Sequence, residues 1–590
     1  MYRAPLKDIR FVLDHLIGAT ALGEANGEPG YSPDVAEAVL TEAGRLCEEV
    51  LEPLNKTGDL KGVEWSPQGV KTAPGFKDAY AKFVEGGWPR LRANVEDGGQ
   101  PVPRVLATAT QELWGSANLS FQLCPLLTQG AIEALYICGS QQLRHSFVPK
   151  MVTGEWTGTM NLTEPQAGSD LAQVRTRAVP EGDHFRVFGQ KIFITWGEHD
   201  FTPNIIHLVL ARIEGAPAGV KGISLFVVPK VLLNADGSLG ERNEVRCVSV
   251  EHKLGIHASP TCVMAYGDTK GAVGYLVGEA NRGLEYMFIM MNAARLGVGV
   301  QGYAMAERAF QQAAEWARTR VQGKPPAAAT AGAPILYHPD VKRMLLTMKS
   351  GTEAMRALGL YAALQLDLAE QAPDATAQEA AKMRAELLIP IVKGWSTEYG
   401  IEMTSLGIQV HGGMGFIEET GAAQYLRDAR ITAIYEGTTG IQANDLFGRK
   451  LARDGGKAML ELIAAATREL YSINSNDATL QALRQATIES LASLRTATQF
   501  LVGLGATPDL ALAVAVPYLK LSGFVLGGWL MMKAYGIALV DSNAGDQEFL
   551  AAKMQSARFY IENILPNAFM YSRIVTNGAT SVIEASAELI

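Results

Sequence analysis

The residues best suited to chemistry lie between 408 and 442, IQVHGGMGFIEETGAAQYLRDARITAIYEGTTGIQ. A glycine-rich turn, Gly412-Gly413-Met414-Gly415, precedes an acid set among small and aromatic neighbours, Tyr435-Glu436-Gly437-Thr438-Thr439. Glycines let a backbone approach a flat ligand closely or take up positive φ. A carboxylate among Tyr, Ile and Gly loses hydration, which raises its pKa and suits it to abstracting a proton near neutral pH. A second candidate runs from Gly154 to Leu171, where Leu162-Thr163-Glu164-Pro165 and Gly168-Ser169-Asp170 offer backbone N–H groups and hydroxyls. Such a set suits holding a planar heterocycle, and no Ser-His-Asp spacing accompanies it.

Two further patterns promise less. Gly297-Val298-Gly299-Val300-Gln301-Gly302 fits GxGxxG formally, but that fingerprint needs a strand before it and a helix opening on its glycines. Leu284 to Leu296 reads as helix, and Ala304 to Trp316 continues the same period, so small residues for helix packing are the better reading. His199, His207, His252, His257 and His411 form no credible ligand set, and no metal is expected.

The elements that must position these residues follow from periodicity. Ile9, Val12, Leu13, Leu16 and Ile17 make a helical stripe. Ser32-Pro33-Asp34 caps a helix to about Leu54, and residues 55–74 read as a loop. Helices are predicted at about 75–86, 104–117, 124–138 and 140–150. From Gly154 short β-favouring runs take over, among them Phe185–Phe188, Lys191–Thr195, Ile205–Leu210, Ile223–Val228 and Cys262–Tyr266. Helical periodicity resumes at Leu284 and runs to Lys450, interrupted by a Gly/Pro/Ala-rich loop at 323–334. More helices are predicted at about 453–471, 477–503, 509–539 and 546–565, followed by a Ser/Thr/Asn-containing tail. The apolar run Leu521–Met532, bounded by Lys520 and Lys533, is shorter than the about twenty residues a bilayer needs, so no membrane span is expected.

As strings, LTEPxAGSD at 162–170, Phe193-Ile194-Thr195 and the 408–442 stretch together resemble the acyl-CoA dehydrogenases. The resemblance covers most of residues 30–450, and the opening YRAPLKDIRFVL and the added C-terminal helices resemble the large branch that includes the 3-methylmercaptopropionyl-CoA dehydrogenases. It implies an α+β fold with an N-terminal helical domain (1–153), a middle β domain (154–280), a C-terminal helical bundle (281–450) and an additional helical domain (451–590). FAD is the implied cofactor. By resemblance Leu162 and Thr163 meet the isoalloxazine edge, Phe193 shields one ring face and Thr195 bonds near N5. Ser169 reaches a cofactor phosphate or the coenzyme A arm. Arg320, in an imperfect match to the family's RxxFG element, reaches the pyrophosphate of a neighbouring subunit's flavin, with Arg318 second. Gln409 and Gly413 carry over to the partner subunit's cofactor, and Thr438 is a further cofactor contact. Gly440 departs from the family's usual Gln.

Glu436 is the implied base. Some relatives place the base one residue before the Arg at 295, but that position holds Ala294. Tyr435 and Gly437, with Ser169, Asn292 and Arg295, are expected at the substrate. The reaction implied is α,β-desaturation of a fatty acyl-CoA in β-oxidation, with electrons passed to an electron-transfer flavoprotein. The alternatives are a 3-methylmercaptopropionyl-CoA dehydrogenase, an acyl-CoA oxidase and a non-catalytic flavin-binding scaffold. A homodimer is expected, because residues assigned to one FAD come from different subunits.

Composition agrees with a globular enzyme and narrows its setting. The 590 residues exceed one core and predict three or four domains, with 48 % hydrophobic and 19 % charged residues. A net charge of −9 and no long basic tract argue against nucleic acid. Cys47, Cys124, Cys138, Cys247 and Cys262 show no CxxC and read as buried thiols of a reducing compartment. The N-terminus carries acids among its bases and no signal-peptide pattern, so a cytoplasmic location is expected.

Overall fold

The structure, a computed structural model, describes residues 2–23, 29–326, 332–541 and 545–589. It has an α+β fold: a helical N-terminal region, a middle β region and an extended C-terminal helical region. Its chain forms two compact units. One comprises Met1–Gly44, Pro103–Ser116 and Val298–Ile590; the other comprises Arg45–Val102 and Ala117–Gly297.

The second unit is built on an eight-stranded sheet. Its strands are β1 (Trp156–Asn161), β2 (Arg177–Glu181), β3 (His184–Thr195), β4 (Asn204–Ile213), β5 (Ile223–Pro229), β6 (Val245–Val250), β7 (Thr261–Tyr266) and β8 (Ala272–Val277). They lie in the order β6-β7-β3-β8-β5-β4-β1, with β2 beside β3 and β4. The strong runs of β4 and β5 follow from burial on both faces. Alternate residues enter two cores: Ile206, Leu208 and Leu210 pack with Leu135, Phe147 and Met290, while Val209 and Ala211 pack with Val187 and Phe226.

Strands β1, β2, β6 and β8 add to the runs read from sequence. Residues 55–74, expected as a loop, are instead the helix Glu52–Lys61 and a hairpin, Glu64–Ser66 with Gly69–Lys71. Gly58 serves packing there: a Cβ would lie 2.8 Å from the Phe76 ring.

The first unit is helical. The helix Gly283–Thr319 runs unbroken through Gly297–Gly302, so the GxGxxG match is helix interior. Gly302 lets this helix cross Ala375–His411 closely: a Cβ on it would sit 2.3 Å from the Ser396 carbonyl oxygen, and one on Gly400 2.3 Å from the Gly302 oxygen. The expected stripe Ile9, Val12, Leu13, Leu16 and Ile17 is wholly buried. Of the loop expected at 323–334, residues 327–331 lie outside the described residues.

Three readings of the C-terminal region change. The predicted helix 509–539 breaks at Val514 into Pro508–Ala513 and Ala515–Asp541, and the expected tail contains the helix Asn567–Asn577. The apolar helix is also longer than the run between its lysines, because both lie inside it. Lys520 pairs with Glu398 (3.8 Å) and Lys533 with Glu469 (2.9 Å), so neither ends the element. By length and composition alone Ala515–Asp541 is long and apolar enough to cross a membrane. It is instead core, with 78 % of its most apolar window buried inside the protein.

Candidate active site

The turn that carries Glu436 follows a 3₁₀ segment, Arg430–Ala433, and precedes the helix Thr439–Asp445. Thr438 caps that helix, its Oγ1 accepting from the Ile441 N–H at 3.3 Å. Glu436 has φ +55°, left-handed for a residue with a side chain, and Gly437 follows at +84°. Such a conformation costs about 1–3 kcal/mol and persists where its surroundings fix it.

Those surroundings are specific. Gln442 donates Nε2 to the carbonyls of Glu436 (2.9 Å) and Gly437 (3.2 Å), and Lys393 donates Nζ to Gly437 O at 2.6 Å. Tyr435 donates its hydroxyl to Gln301 Oε1, and Thr439 donates Oγ1 to Glu398 at 2.6 Å. Burial, followed by the nearby Glu436 charge, pushes the Tyr435 phenol far above its ordinary range, so it stays protonated and donates. The Glu436 side chain is half-buried, with Oε2 shielded from solvent.

In the other unit, Leu162 and Thr163 are half-buried beyond the end of β1, and the Thr163 carbonyl accepts from the Ile192 N–H at 2.9 Å. Beneath them lies a buried ion pair that sequence reasoning missed. Glu164 meets Lys191 at 2.8 Å, and the same ammonium donates to Leu162 O at 2.8 Å. Glu164 also accepts from the backbone N–H groups of Arg175 and Thr176. Burial alone would raise the Glu164 pKa, but Lys191 and these donors outweigh it and hold the carboxyl low. Burial brings Lys191 down to about 8 despite its partner. A charged pair with every lone pair engaged fixes the loop from Leu162 to Thr176 onto β3.

Where β3 pairs with β7, Ile192 and Phe193 stand opposite one residue, a β-bulge between the pairs Lys191–Met264 and Ile194–Cys262. Phe193 takes φ +59° there and its side chain is 58 % exposed, an aromatic face held out from the sheet. Thr195 is half-buried at the end of β3, and Trp196 is core, its indole N–H donating to Ser120 O at 3.1 Å. Ser169 is exposed on the loop before Asp170. Asn292 is exposed, while Arg295 is buried one helical turn on, its Nη1 3.5 Å from Asn292 Oδ1.

In the helical unit, Arg320 is exposed just past the end of its helix, with Nη2 3.4 Å from Gln322 Oε1. Gln409 and Gly413 are exposed at the end of Ala375–His411, and nothing lies within 4 Å of a Cβ built on Gly412 or Gly413. Thus Leu162, Thr163, Ser169, Phe193, Thr195, Asn292 and Arg295 belong to one unit, and Arg320, Gln409, Gly413, Tyr435, Glu436, Gly437 and Thr438 to the other. Among the described residues no group of three or more metal-ligating side chains is assembled. His199 and His207 are buried and bond Thr157 (2.9 Å) and Thr159 (2.7 Å), with burial lowering both pKa values, His207 to about 3.

Glu436 and Phe193, both at positive φ and the second on a bulge, show the kind of backbone strain that clusters at functional sites. Comparison with known proteins identifies the class. Residues 159–269 match the acyl-CoA dehydrogenase middle domain, 281–451 the acyl-CoA dehydrogenase C-terminal domain, and 458–586 the acetyl-CoA dehydrogenase C-terminal-like domain. A 3-methylmercaptopropionyl-CoA dehydrogenase of Ruegeria pomeroyi is 47 % identical over 592 residues, covering 99 % of this chain and 100 % of the relative. A broad-specificity linear acyl-CoA dehydrogenase of Mycobacterium tuberculosis is 34 % identical over 590 residues, 96 % of each chain.

The chain therefore belongs to the acyl-CoA dehydrogenase family, in its large branch. It is an oxidoreductase of acyl-CoA thioesters, and FAD is the cofactor of its family. Two solved structures share the fold over nearly the whole chain. The Caenorhabditis elegans ACDH-11 complex with C11-CoA has a TM-score of 0.78 at 22 % identity, over 100 % of this chain and 96 % of that one. A Bacillus anthracis acyl-CoA dehydrogenase complexed with FAD has 0.73 at 20 %, over 98 % and 92 %.

Proposed function

We propose that the protein dehydrogenates a short acyl-CoA thioester bearing a methylthio group at C3, as a 3-methylmercaptopropionyl-CoA dehydrogenase would. The observation that carries this choice is the 47 % identity, end to end, with the Ruegeria pomeroyi enzyme of that name, against 34 % with the broad-specificity linear dehydrogenase. The latter likeness keeps a general fatty acyl-CoA as the second reading. Either substrate loses an α-proton and a β-hydride and gains a trans double bond between those carbons.

Glu436 takes the α-proton onto its carboxylate. Its half-buried side chain and the fixed positive φ of its backbone support this assignment. The Glu436 backbone N–H steadies the thioester oxygen as enolate charge develops. We assign substrate contacts to Tyr435, Gly437, Ser169, Asn292 and Arg295 on the family motifs that carry them.

FAD, when bound, supplies the acceptor for the β-hydride. The residues present fit it: the ring of Phe193 is held out at the bulge, Leu162, Thr163 and Thr195 stand half-buried beside it, and Gly413 has open space where a side chain would be. Arg320, Gln409 and Gly413, contributed by the second copy of a homodimer, hold the far end of the cofactor with Thr438. Electrons leave to an electron-transfer flavoprotein. Anaerobic bleaching of the bound flavin across a panel of acyl-CoAs tests the proposal. It predicts fastest reduction by 3-methylmercaptopropionyl-CoA, whereas faster reduction by octanoyl-CoA overturns the substrate choice. Rapid peroxide formation without an added acceptor points to an oxidase, and a flavin never bleached points to a scaffold.

A further inference from the structure

We infer that Lys393 is a positioning residue for the base, and that the added C-terminal helix Ala515–Asp541 holds it in place; this rests on the reading of Glu436 as the base. Lys393 lies in the helix Ala375–His411, within an apolar run, and its side chain is wholly buried. A lysine in such a place is rare unless it serves a fixed partner. Its Nζ donates to Gly437 O at 2.6 Å, one residue beyond Glu436. Gln442, also fully buried, bonds the Glu436 and Gly437 carbonyls from the following helix. Both carbonyls belong to the turn in which Glu436 and Gly437 have positive φ. Were the lysine lost, the turn could relax toward an ordinary conformation and carry the carboxylate with it.

The C-terminal helix grips the same stretch from the other side. A Cβ on Gly394 would lie 2.7 Å from Leu519, and one on Gly523 2.1 Å from the Trp395 ring. Lys520 pairs with Glu398 (3.8 Å), which accepts from Thr439 Oγ1 (2.6 Å) in the helix that follows the base turn. Three contacts from residues 519–523 therefore reach the segment 394–398, which directly follows Lys393, the donor to Gly437 O, and carries Glu398, the acceptor from Thr439; both anchored residues lie just after Glu436. The added domain thereby becomes part of the support for catalysis.

The test is rapid-mixing anaerobic flavin reduction by acyl-CoA in the FAD-loaded full-length protein, separating the limiting rate from the substrate dissociation constant. Lys393→Met should lower the limiting rate by at least about tenfold, as small misplacements of reacting groups do, while substrate affinity and bound flavin stay within twofold. The α-deuterium isotope effect should rise, because proton removal becomes more fully limiting. Thr439→Val, which changes little volume, should shift the same rate in the same direction by a smaller factor and covers the case in which Lys393→Met fails to fold. Limiting rates and isotope effects of both variants equal to wild type would overturn the inference. Glu436→Gln run in parallel separates the two readings: if it reduces normally the base assignment has failed, and if it alone is inactive only the role of Lys393 has.

Discussion

The helical unit contains a buried ionic triad whose removal has a calculable cost. Arg356, 1 % exposed, donates Nε and Nη2 to Glu112 at 2.8 and 2.5 Å, and Nη2 to Glu307 at 2.7 Å. Glu112 is wholly buried, and burial raises its pKa although Arg356 opposes the shift. Arg356→Met keeps the volume but leaves two carboxylates facing each other with no guanidinium between them. Breaking such a pair costs about 3–5 kcal/mol. For a cooperative unit of about 350 residues, the unfolding entropy is about 0.7 kcal/mol per kelvin, so the midpoint should fall by about 4–7 °C.

The loss should depend on pH. A carboxyl whose folded pKa is raised contributes stability that is present below its unfolded pKa and lost as pH rises through the folded one. Removing Arg356 raises Glu112 further, so the variant should be penalised less at pH 5 than at pH 8. Scanning calorimetry of the FAD-loaded protein at both values measures this. Adding Glu112→Gln and Glu307→Gln should restore most of the loss, since a neutral buried set needs no cation. A fall below 2 °C at pH 8, or one unchanged by neutralising both acids, would refute the argument.

Three further outcomes are expected. Sedimentation of the flavin-loaded protein should give about twice 63.4 kDa, and Arg320→Ala should lose FAD on dilution more readily than wild type; a flavin-saturated monomer would exclude the shared-cofactor arrangement. Glu164 contributes stability above the ordinary carboxylate range that is lost as pH falls through its depressed pKa, so Glu164→Gln should flatten the acid limb of the stability curve, by calorimetry below pH 5; an unchanged limb would mean that the pair with Lys191 does not hold the loop.

What the sequence revealed, and what it hid, divides along physical lines. Strands β4 and β5 were legible because burial on both faces demands continuous apolar runs, as in Ile205–Leu210. The helical nature of Gly297–Gly302 was legible because the surrounding period never changes. Glu52–Lys61 was not, since Gly58 counts against a helix by propensity while the Phe76 ring requires it. The lysines of Ala515–Asp541 looked like boundaries, yet ion pairing with Glu398 and Glu469 lets both remain within the helix. At the site, Glu436 and the Leu162–Asp170 loop stood out as strings, whereas Lys191 and Lys393 act through backbone carbonyls distant in sequence, and Gln442, though only a few residues from Glu436, acts through a fold of the chain that no local pattern signals. A lysine inside the apolar run Leu387–Trp395 was the one local sign of the last group.

If Glu436 is the proton acceptor in acyl-CoA dehydrogenation, replacing its carboxylate by an amide should stop flavin reduction without loss of the cofactor. Wild type and Glu436→Gln, each loaded with FAD, are mixed anaerobically with acyl-CoA while flavin absorbance is followed. The amide keeps the volume but cannot accept the proton, and a positioned base contributes about 10²–10⁴-fold. Flavin should therefore remain bound and essentially unbleached in the variant over the time in which wild type is reduced completely. Reduction of Glu436→Gln within tenfold of the wild-type rate would mean that another group removes the proton.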